Sequence, residues 1–302
     1  YVRQMLGDFE RQNIKEAYRL KAPDTPFGFE FIEQVVFRDV NFGEPTKPAE
    51  PYAVAGQQKP RPGFKLCKYC GQIQRAPRTE RERVQSQFHA FDCEKRGSDD
   101  PANIIDCLYL YREFSSEALR ILVPYTRSGV DEESVQSFIA AIQLGLKKRF
   151  GGKVDHLRLV TQEERDHDGG ATRQYVLLYD SVPGGTGYLH QLLADQAKTL
   201  MEVIRLALKH LVDCPCNADP EKDGCYRCVF QYRLGRAMAL VSRDRARAIF
   251  EQLVGGLDQL ERVASISDIY INPNFDSELE AKFIEGLRRL SGQGGLPFVT
   301  LV

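Results

Sequence analysis

Cys214-Pro-Cys216, then eight residues, then Cys225-Tyr-Arg-Cys228 bring four thiols together within a short stretch of chain. In this C-x-C…C-x-x-C spacing they can surround one tetrahedral Zn(II), at S–Zn distances of roughly 2.3 Å. Asp223-Gly224, just before the second pair, supplies the turn that lets a short knuckle fold back on the metal. A pair of disulfides and four unrelated buried thiols are the alternatives; two tight pairs so close together favour the metal. A second set lies upstream. Cys67-Lys-Tyr-Cys70, eighteen residues, and His89-Ala-Phe-Asp-Cys93 read C-x2-C-x18-H-x3-C, three cysteines and one histidine. His89 and Cys93 differ by four positions, so on a helix both would face the same ion. The alternative keeps Cys67 and Cys70 as ligands, leaves His89 on the surface and closes the site with another partner. Both sets are complete, leaving no open position for a catalytic water, so the two zinc ions are read as structural. Cys107, in the apolar run of Ile104, Ile105, Leu108 and Leu110, reads as a buried free thiol.

These ligands need elements to carry them. Leu189, Leu193, Ala197, Leu200, Ile204, Leu208 and Leu211 form one helical stripe, so a long helix starting near Gly187 delivers Cys214 and Cys216 at its end. Residues 229–260 read as further helix. Upstream, Asp131 is a good N-cap with Glu132 and Glu133 in the first turn. The stripe Val135, Phe138, Ile139, Ile142 and Leu146 follows. Lys147, Lys148 and Arg149 complement the helix C-terminus before Gly151-Gly152 stops it. Strands are expected over 103–111 and 118–125, separated by residues 112–116, and over 156–160 and 174–179, separated by a polar loop at 163–170. Nearer the start, residues 8–21 read as a polar helix closed off by Pro23, 27–42 as strands and 43–62 as loop. The fold class is therefore α/β: a mixed sheet with packed helices plus two zinc knuckles, one four-cysteine and one three-cysteine-one-histidine.

Cationic residues gather near both knuckles. The spacer of the first carries Arg75, Arg78, Arg81 and Arg83, opposed within it by Glu80 and Glu82. Such a finger could rest on phosphates or simply be a solvated face. Around and after Cys228 come Arg227, Arg233, Arg236, Arg243, Arg245 and Arg247, with Asp244 alone against them in that span and Phe230 and Tyr232 interleaved. Guanidinium groups beside aromatics suit phosphates and splayed bases. Helix-surface solvation is the alternative, and with a zinc knuckle alongside, Arg227, Arg233, Arg236, Arg243 and Arg247 read as nucleic-acid contacts. Pro183-Gly-Gly-Thr-Gly187 joins a strand to a helix. It reads first as a tight turn and second as an anion site. It is neither a P-loop nor a dinucleotide fingerprint, since no Lys follows the glycines and the G-x-G-x-x-G order is incomplete. Asp180 could cap this turn.

Leu-Tyr-Asp-x-x-Pro-Gly-Gly-x-Gly from Leu178, a helix, Cys-x-Cys and then Gly-Cys-x-x-Cys from Gly224 together resemble the MrfA-type zinc-binding (MZB) domain. That domain forms the C-terminal region of a group of superfamily 2 DEAD/DEAH-box DNA helicases, some acting in DNA repair and others in anti-phage defence. The resemblance is specific over residues 174–260 and continues more weakly back to Phe29. It implies four segments: residues 1–62 as helicase-associated helix and strands, 63–100 as the zinc finger with three Cys and one His, 101–265 as the MZB-type α/β domain, and 266–302 as a new unit. Within the last, Ser277, Glu280, Phe283 and Leu287 are similar to the opening helix of PD-(D/E)xK nuclease domains, where the residue matching Glu280 assists metal binding. An ordinary amphipathic helix is the alternative. The chain stops before the Asp…Glu-x-Lys strands of such an enzyme.

The bulk numbers fit this. A 302-residue chain, 42% hydrophobic and 27% charged with a net charge of −1, is an ordinary globular composition rather than a uniformly basic one. It opens on Tyr1 rather than Met, which predicts a piece of something longer. Eight cysteines without a secretory signal read as reduced, metal-bound and cytoplasmic, and no apolar stretch suits a membrane. The expected function is a non-catalytic, DNA-engaging accessory region of an ATP-dependent helicase. ATP and Mg would be confined to motor domains of the same parent chain. The expected partners are DNA (single-stranded or duplex), those motor domains, and a defence or repair protein. A restriction-type nuclease portion and a protein-interaction module are the alternatives.

Overall fold

The computed structural model describes residues 3–21, 25–43, 51–54, 57–60, 63–74, 89–96, 98, 100–124, 131–152, 154–165, 172–182 and 185–269. In chain order the strands are β1 (Arg3–Asp8), β2 (Ile14–Leu20), β3 (Gly28–Asn41), β4 (Pro51–Val54), β5 (Gln57–Pro60), β6 (Phe64–Cys67), β7 (Ile73–Gln74), β8 (Ile104–Leu108), β9 (Leu110–Leu122), β10 (Leu157–Arg165), β11 (Thr172–Asp180) and β12 (Leu260–Val263). The helices are α1 (Glu132–Arg149), α2 (Tyr188–Val212) and α3 (Arg243–Gly256). The chain divides into two units, one of Tyr1–Asp8 with Val36–Phe114 and one of Phe9–Val35 with Ser115–Val302.

In the larger unit the sheet order is β10-β11-β9-β3-β2-β12, with antiparallel ladders at β10–β11, β11–β9, β3–β2 and β2–β12. The period-two alternation of strands decides what faces the helices. Leu119, Ile121, Val176 and Leu178 join Phe29 and Phe31 in one core with Phe138, Ile142, Leu200, Ile204 and Phe250 of the three helices. This is the mixed sheet with packed helices that the sequence predicts. Asp131 caps α1 by accepting from the Ser134 amide at 2.7 Å, as its position implied. Gly145 lets α1 and α2 approach closely: a Cβ there would stand 2.3 Å from the Val203 carbonyl oxygen.

The alternate positions point to the other face, where a buried charge cluster sits. Arg120 Nε lies 2.8 Å from Glu30 Oε1, with the side chains 2% and 0% exposed. Glu30 also accepts from Ser265 Oγ and the Ile266 amide, each at 2.9 Å. Arg120 donates to Glu164 at 2.7 Å and lies over the Tyr175 ring at 4.3 Å. These bonds join Ser265 and Ile266 to the sheet. The helix expected over residues 276–287 lies outside the described residues.

Several expectations are corrected. Residues 8–21 are not a polar helix but a short 3-10 turn at Arg11–Asn13 followed by β2. Ala17, Tyr18 and Leu20 are buried, while the charges that looked like a helix face make cross-strand pairs, Lys15 with Glu33 at 2.9 Å and Arg19 with Glu261 at 2.7 Å. β9 runs unbroken through residues 112–116. Within the smaller unit Glu113 there takes an ion pair from Arg38 at 3.1 Å, and Phe114 stacks on Phe37 at 5.3 Å, so neighbours satisfy the polar stretch. The presumed loop at 43–62 contains the β4–β5 hairpin. Cys107 is exposed rather than buried, at φ 59°, in a strand pair whose Ile105 and Leu108 are also exposed. α2 is interrupted: Asp195, Gln196 and Ala197 take left-handed φ of 52°, 59° and 61°. Such a conformation costs about 1–2 kcal/mol per residue, yet the buried Leu193 and Ala197 stay in the core across the break.

Truncating one member of the buried pair leaves the other charge stranded. Glu30→Ala should lower unfolding free energy by about 3–5 kcal/mol in urea titration. The paired change Glu30→Leu with Arg120→Met should cost less than either single change.

Candidate functional site

The four-cysteine knuckle is built by the end of α2, a hairpin-like turn and the start of α3. Cys214 closely follows the last helical residues, and Asn217 donates to the Leu211 and Val212 carbonyls at 3.0 and 2.7 Å, closing the helix end. Gly224 at φ 135° permits the return; a Cβ there would lie 2.8 Å from Val229 and 2.9 Å from the Phe230 ring. The buried Val229 then anchors the second pair of thiols in the core.

The geometry suits a metal. Sγ–Sγ separations are 3.4 Å for Cys214–Cys216, 3.5 Å for Cys214–Cys225, 3.7 Å for Cys225–Cys228 and 3.8 Å for Cys216–Cys228. A tetrahedron with Zn–S bonds of roughly 2.3 Å has edges of about 3.8 Å. All eight cysteines are free thiols, which removes the disulfide alternative. Backbone N–H groups already point at the sulfurs, Arg227 N to Cys225 at 3.3 Å and Cys225 N to Cys228 at 3.2 Å. Burial pushes the Cys214 and Cys228 thiols up. Burial opposes ionisation of Cys225 too, but the Arg227 amide and the neighbouring thiols bring it down to about 7. Cys225 is thus primed, and a cation beside them would favour ionisation of Cys214 and Cys228.

Sequence reasoning missed the role of Arg243. It was expected on a nucleic-acid face, but it is buried, and its Nη1 donates to Cys216 Sγ at 3.4 Å while Nε and Nη2 reach Asp244 at 2.9 and 2.8 Å. Burial works against its charge, yet the Cys216 sulfur and Asp244 hold it protonated. The Arg243 amide donates to the Asp223 carbonyl at 3.2 Å and the Asp244 amide to Asp223 Oδ1 at 2.9 Å, tying the first turn of α3 to the knuckle. The other predicted arginines are distributed differently. Arg245 is paired with Asp131 at 2.7 Å and Glu133 at 3.0 Å, and Arg247 with Glu251 at 2.7 Å. Arg227 is exposed, and forms no ion pair among the described residues. The side chains of Arg233 and Arg236 lie outside the described residues, as does the whole Arg75–Arg83 finger.

In the smaller unit Cys67, Cys70, His89 and Cys93 also converge, so His89 is not a surface residue. Cys67 and Cys93 sulfurs are 3.8 Å apart, and His89 Nδ1 lies 3.3 Å from Cys93 Sγ and 3.7 Å from Cys70 Sγ. The helix expected to carry His89 and Cys93 is replaced by a turn, with the Cys93 amide bonded to the Ala90 carbonyl at 3.1 Å. The Ala90 backbone brings the Cys70 thiol down to about 6.

The glycine turn before α2 is occupied from within. Asp180, buried, accepts from the Val182 amide at 2.9 Å and the Thr186 amide at 2.6 Å, and from the Thr186 hydroxyl. A carboxylate of the chain itself thus caps the turn, as its position in the sequence implies, while Gly187 at the start of α2 receives no side-chain cap.

Residues 138–229, which include all four cysteines of the second knuckle, match the family model of the MrfA Zn-binding domain. A crystal structure of the DUF1998 helicase MrfA bound to DNA aligns over 83% of this chain at 13% sequence identity with a TM-score of 0.44. The chain spans 25% of that helicase's length. No curated protein matches the chain.

Elemental analysis of the purified chain should return about two zinc ions per molecule, one for each four-ligand set; a value near one would remove the Cys67/Cys70/His89/Cys93 site. Arg243→Met should leave the ligand count intact but speed zinc loss to a chromophoric chelator by about tenfold, the lower end of what losing a supporting partner costs. Arg247→Met, on the exposed face of α3, should not.

Proposed function

We propose that this chain is a non-catalytic, DNA-engaging zinc-binding accessory region of an ATP-dependent superfamily 2 DNA helicase, acting in DNA repair or anti-phage defence. The observation that carries the reading is the knuckle's own construction. Its metal-facing side is a closed set of four sulfurs, and the residues between Cys225 and Cys228, Tyr226 and Arg227, are turned to solvent. A four-thiolate site offers zinc no open position at which to activate water, so the ion's contribution is to hold that surface in place. ATP and Mg belong to motor domains of the parent chain, which are the intramolecular partners. A repair or defence protein is the further one.

Other features support the reading. The chain's charge is near zero overall, so attraction to phosphates has to be local rather than global. Free thiols in both clusters suit a reducing, cytoplasmic setting. No helix among the described residues is long and apolar enough to cross a membrane.

Two measurements test this. The zinc-loaded chain should bind DNA with an affinity that falls as salt rises, and Arg227→Ala should make the slope of log affinity against log salt shallower by about 0.7 to 0.9. Salt-independent binding, or none, would favour an interaction module instead. The same preparation should not hydrolyse ATP; DNA-stimulated hydrolysis would overturn the accessory-region reading.

A further inference from the structure

Tyr226, Phe230 and Tyr232 form a short ladder on the solvent side of the second knuckle. The Tyr226 and Tyr232 rings stack with centroids 4.8 Å apart and planes at 21°, and Phe230 meets Tyr226 edge-on at 6.2 Å. Tyr226 is 56% exposed and Tyr232 84%. The inner rungs are supported, and the top rung is left almost bare. An aromatic ring held stacked at one face offers the other as a platform that any base can cover.

The same rings line a cleft of about 560 Å³ together with Lys147, Lys148 and Arg227. That is within the roughly 300–1,000 Å³ usual for ligand sites. Both lysines are exposed, and neither forms an ion pair among the described residues, nor does Arg227. On α3, by contrast, Arg243, Arg245 and Arg247 are all committed to carboxylates. Asp155 is the acid on the cleft's rim. Among the described residues, the cations that line this cleft are thus without carboxylate partners and lie beside its bare aromatic face. The lysines also complement the C-terminal end of α1, but that role needs neither to face a cleft.

We infer that this cleft is a binding site for single-stranded DNA, with a base stacked on the outer face of Tyr232 and the flanking phosphates on Lys147, Lys148 and Arg227. The inference rests on the DNA-engaging reading above and narrows it. A duplex keeps its bases stacked on each other and has none to place on Tyr232, whereas a single strand presents both π-faces and phosphates at once. Zinc enters only through the backbone: Cys225 and Cys228 are ligands, so the metal fixes the residues between them and the ring that supports Tyr232.

The test is fluorescence anisotropy of the zinc-loaded chain with a labelled mixed-sequence single strand and a labelled blunt duplex of the same length. Tyr232→Ala should weaken single-strand binding by roughly fivefold to a hundredfold, the range for losing one stacked base, and change duplex binding by less than about twofold. Tyr232→Phe should retain single-strand binding. Lys147→Ala with Lys148→Ala, which touches no aromatic, should make the single-strand salt slope shallower by about 1.4. Unchanged single-strand affinity in Tyr232→Ala, or equal losses on both DNAs, would overturn the stacking site while leaving DNA engagement intact. Absence of binding to either DNA by the unaltered chain would overturn the DNA reading itself, and this inference with it.

Discussion

Four sulfurs at the C-terminal end of α2, with four of their pairs 3.4 to 3.8 Å apart and all within 4.8 Å of one another, cannot all be ionised without a cation among them. At such separations each like-charged pair repels by roughly 4–5 kcal/mol at an effective dielectric constant near 20. A structural zinc reverses this. Its apparent binding free energy, roughly 10–16 kcal/mol in small zinc-binding peptides, is as large as the whole stability of a typical domain, roughly 5–15 kcal/mol. The helix end, the return at Gly224 and the first turn of α3 all converge on these sulfurs, so the metal decides whether the C-terminal half of the larger unit holds its arrangement. Arg243 is the protein's own contribution to that charge balance. One buried guanidinium meets the Cys216 sulfur and, through Asp244 and Asp223, fastens α3 to the knuckle.

The sheet solves a similar problem without metal. Arg120 and Glu30 are buried on the face away from the helices, and each has further polar partners besides the other. Charges of this kind are costly to bury and costlier to strand. They fix which strands are neighbours and bring the segment around Ser265 onto the sheet. Function is then left to the surface that these two constraints hold still: the turn between Cys225 and Cys228, the aromatic ladder behind it and the end of α1.

Local chemistry was legible and context was not. The convergence of two four-residue clusters could be read from spacing alone, because a tetrahedral site fed by paired residues leaves a regular trace in the chain. The stripe of α1 and its cap at Asp131 were legible for the same reason. β2 is not legible because Lys15 and Arg19 look like a helix face until their cross-strand partners are known. The break at Asp195–Ala197 carries no glycine or proline to announce it. Residue type alone does not separate Arg243 from its neighbours, and only the fold shows that it faces a sulfur as well as a carboxylate while Arg245 and Arg247 face carboxylates. In the sequence Lys147 and Lys148 show only their role at the end of their own helix. Their place beside Tyr226 and Tyr232 depends on contacts across about eighty residues of sequence, beyond the reach of any local pattern.

The claim that the second metal site organises the larger unit is tested most directly by amide hydrogen exchange on the zinc-loaded chain before and after chelation. Protection should fall sharply over the second half of α2, from about Arg205 to Val212, and over α3, while β9 and β11 in the sheet keep most of theirs. If α2 and α3 stay as protected without zinc as with it, the knuckle is an ornament on a fold that stands by itself, and the metal does not organise the larger unit.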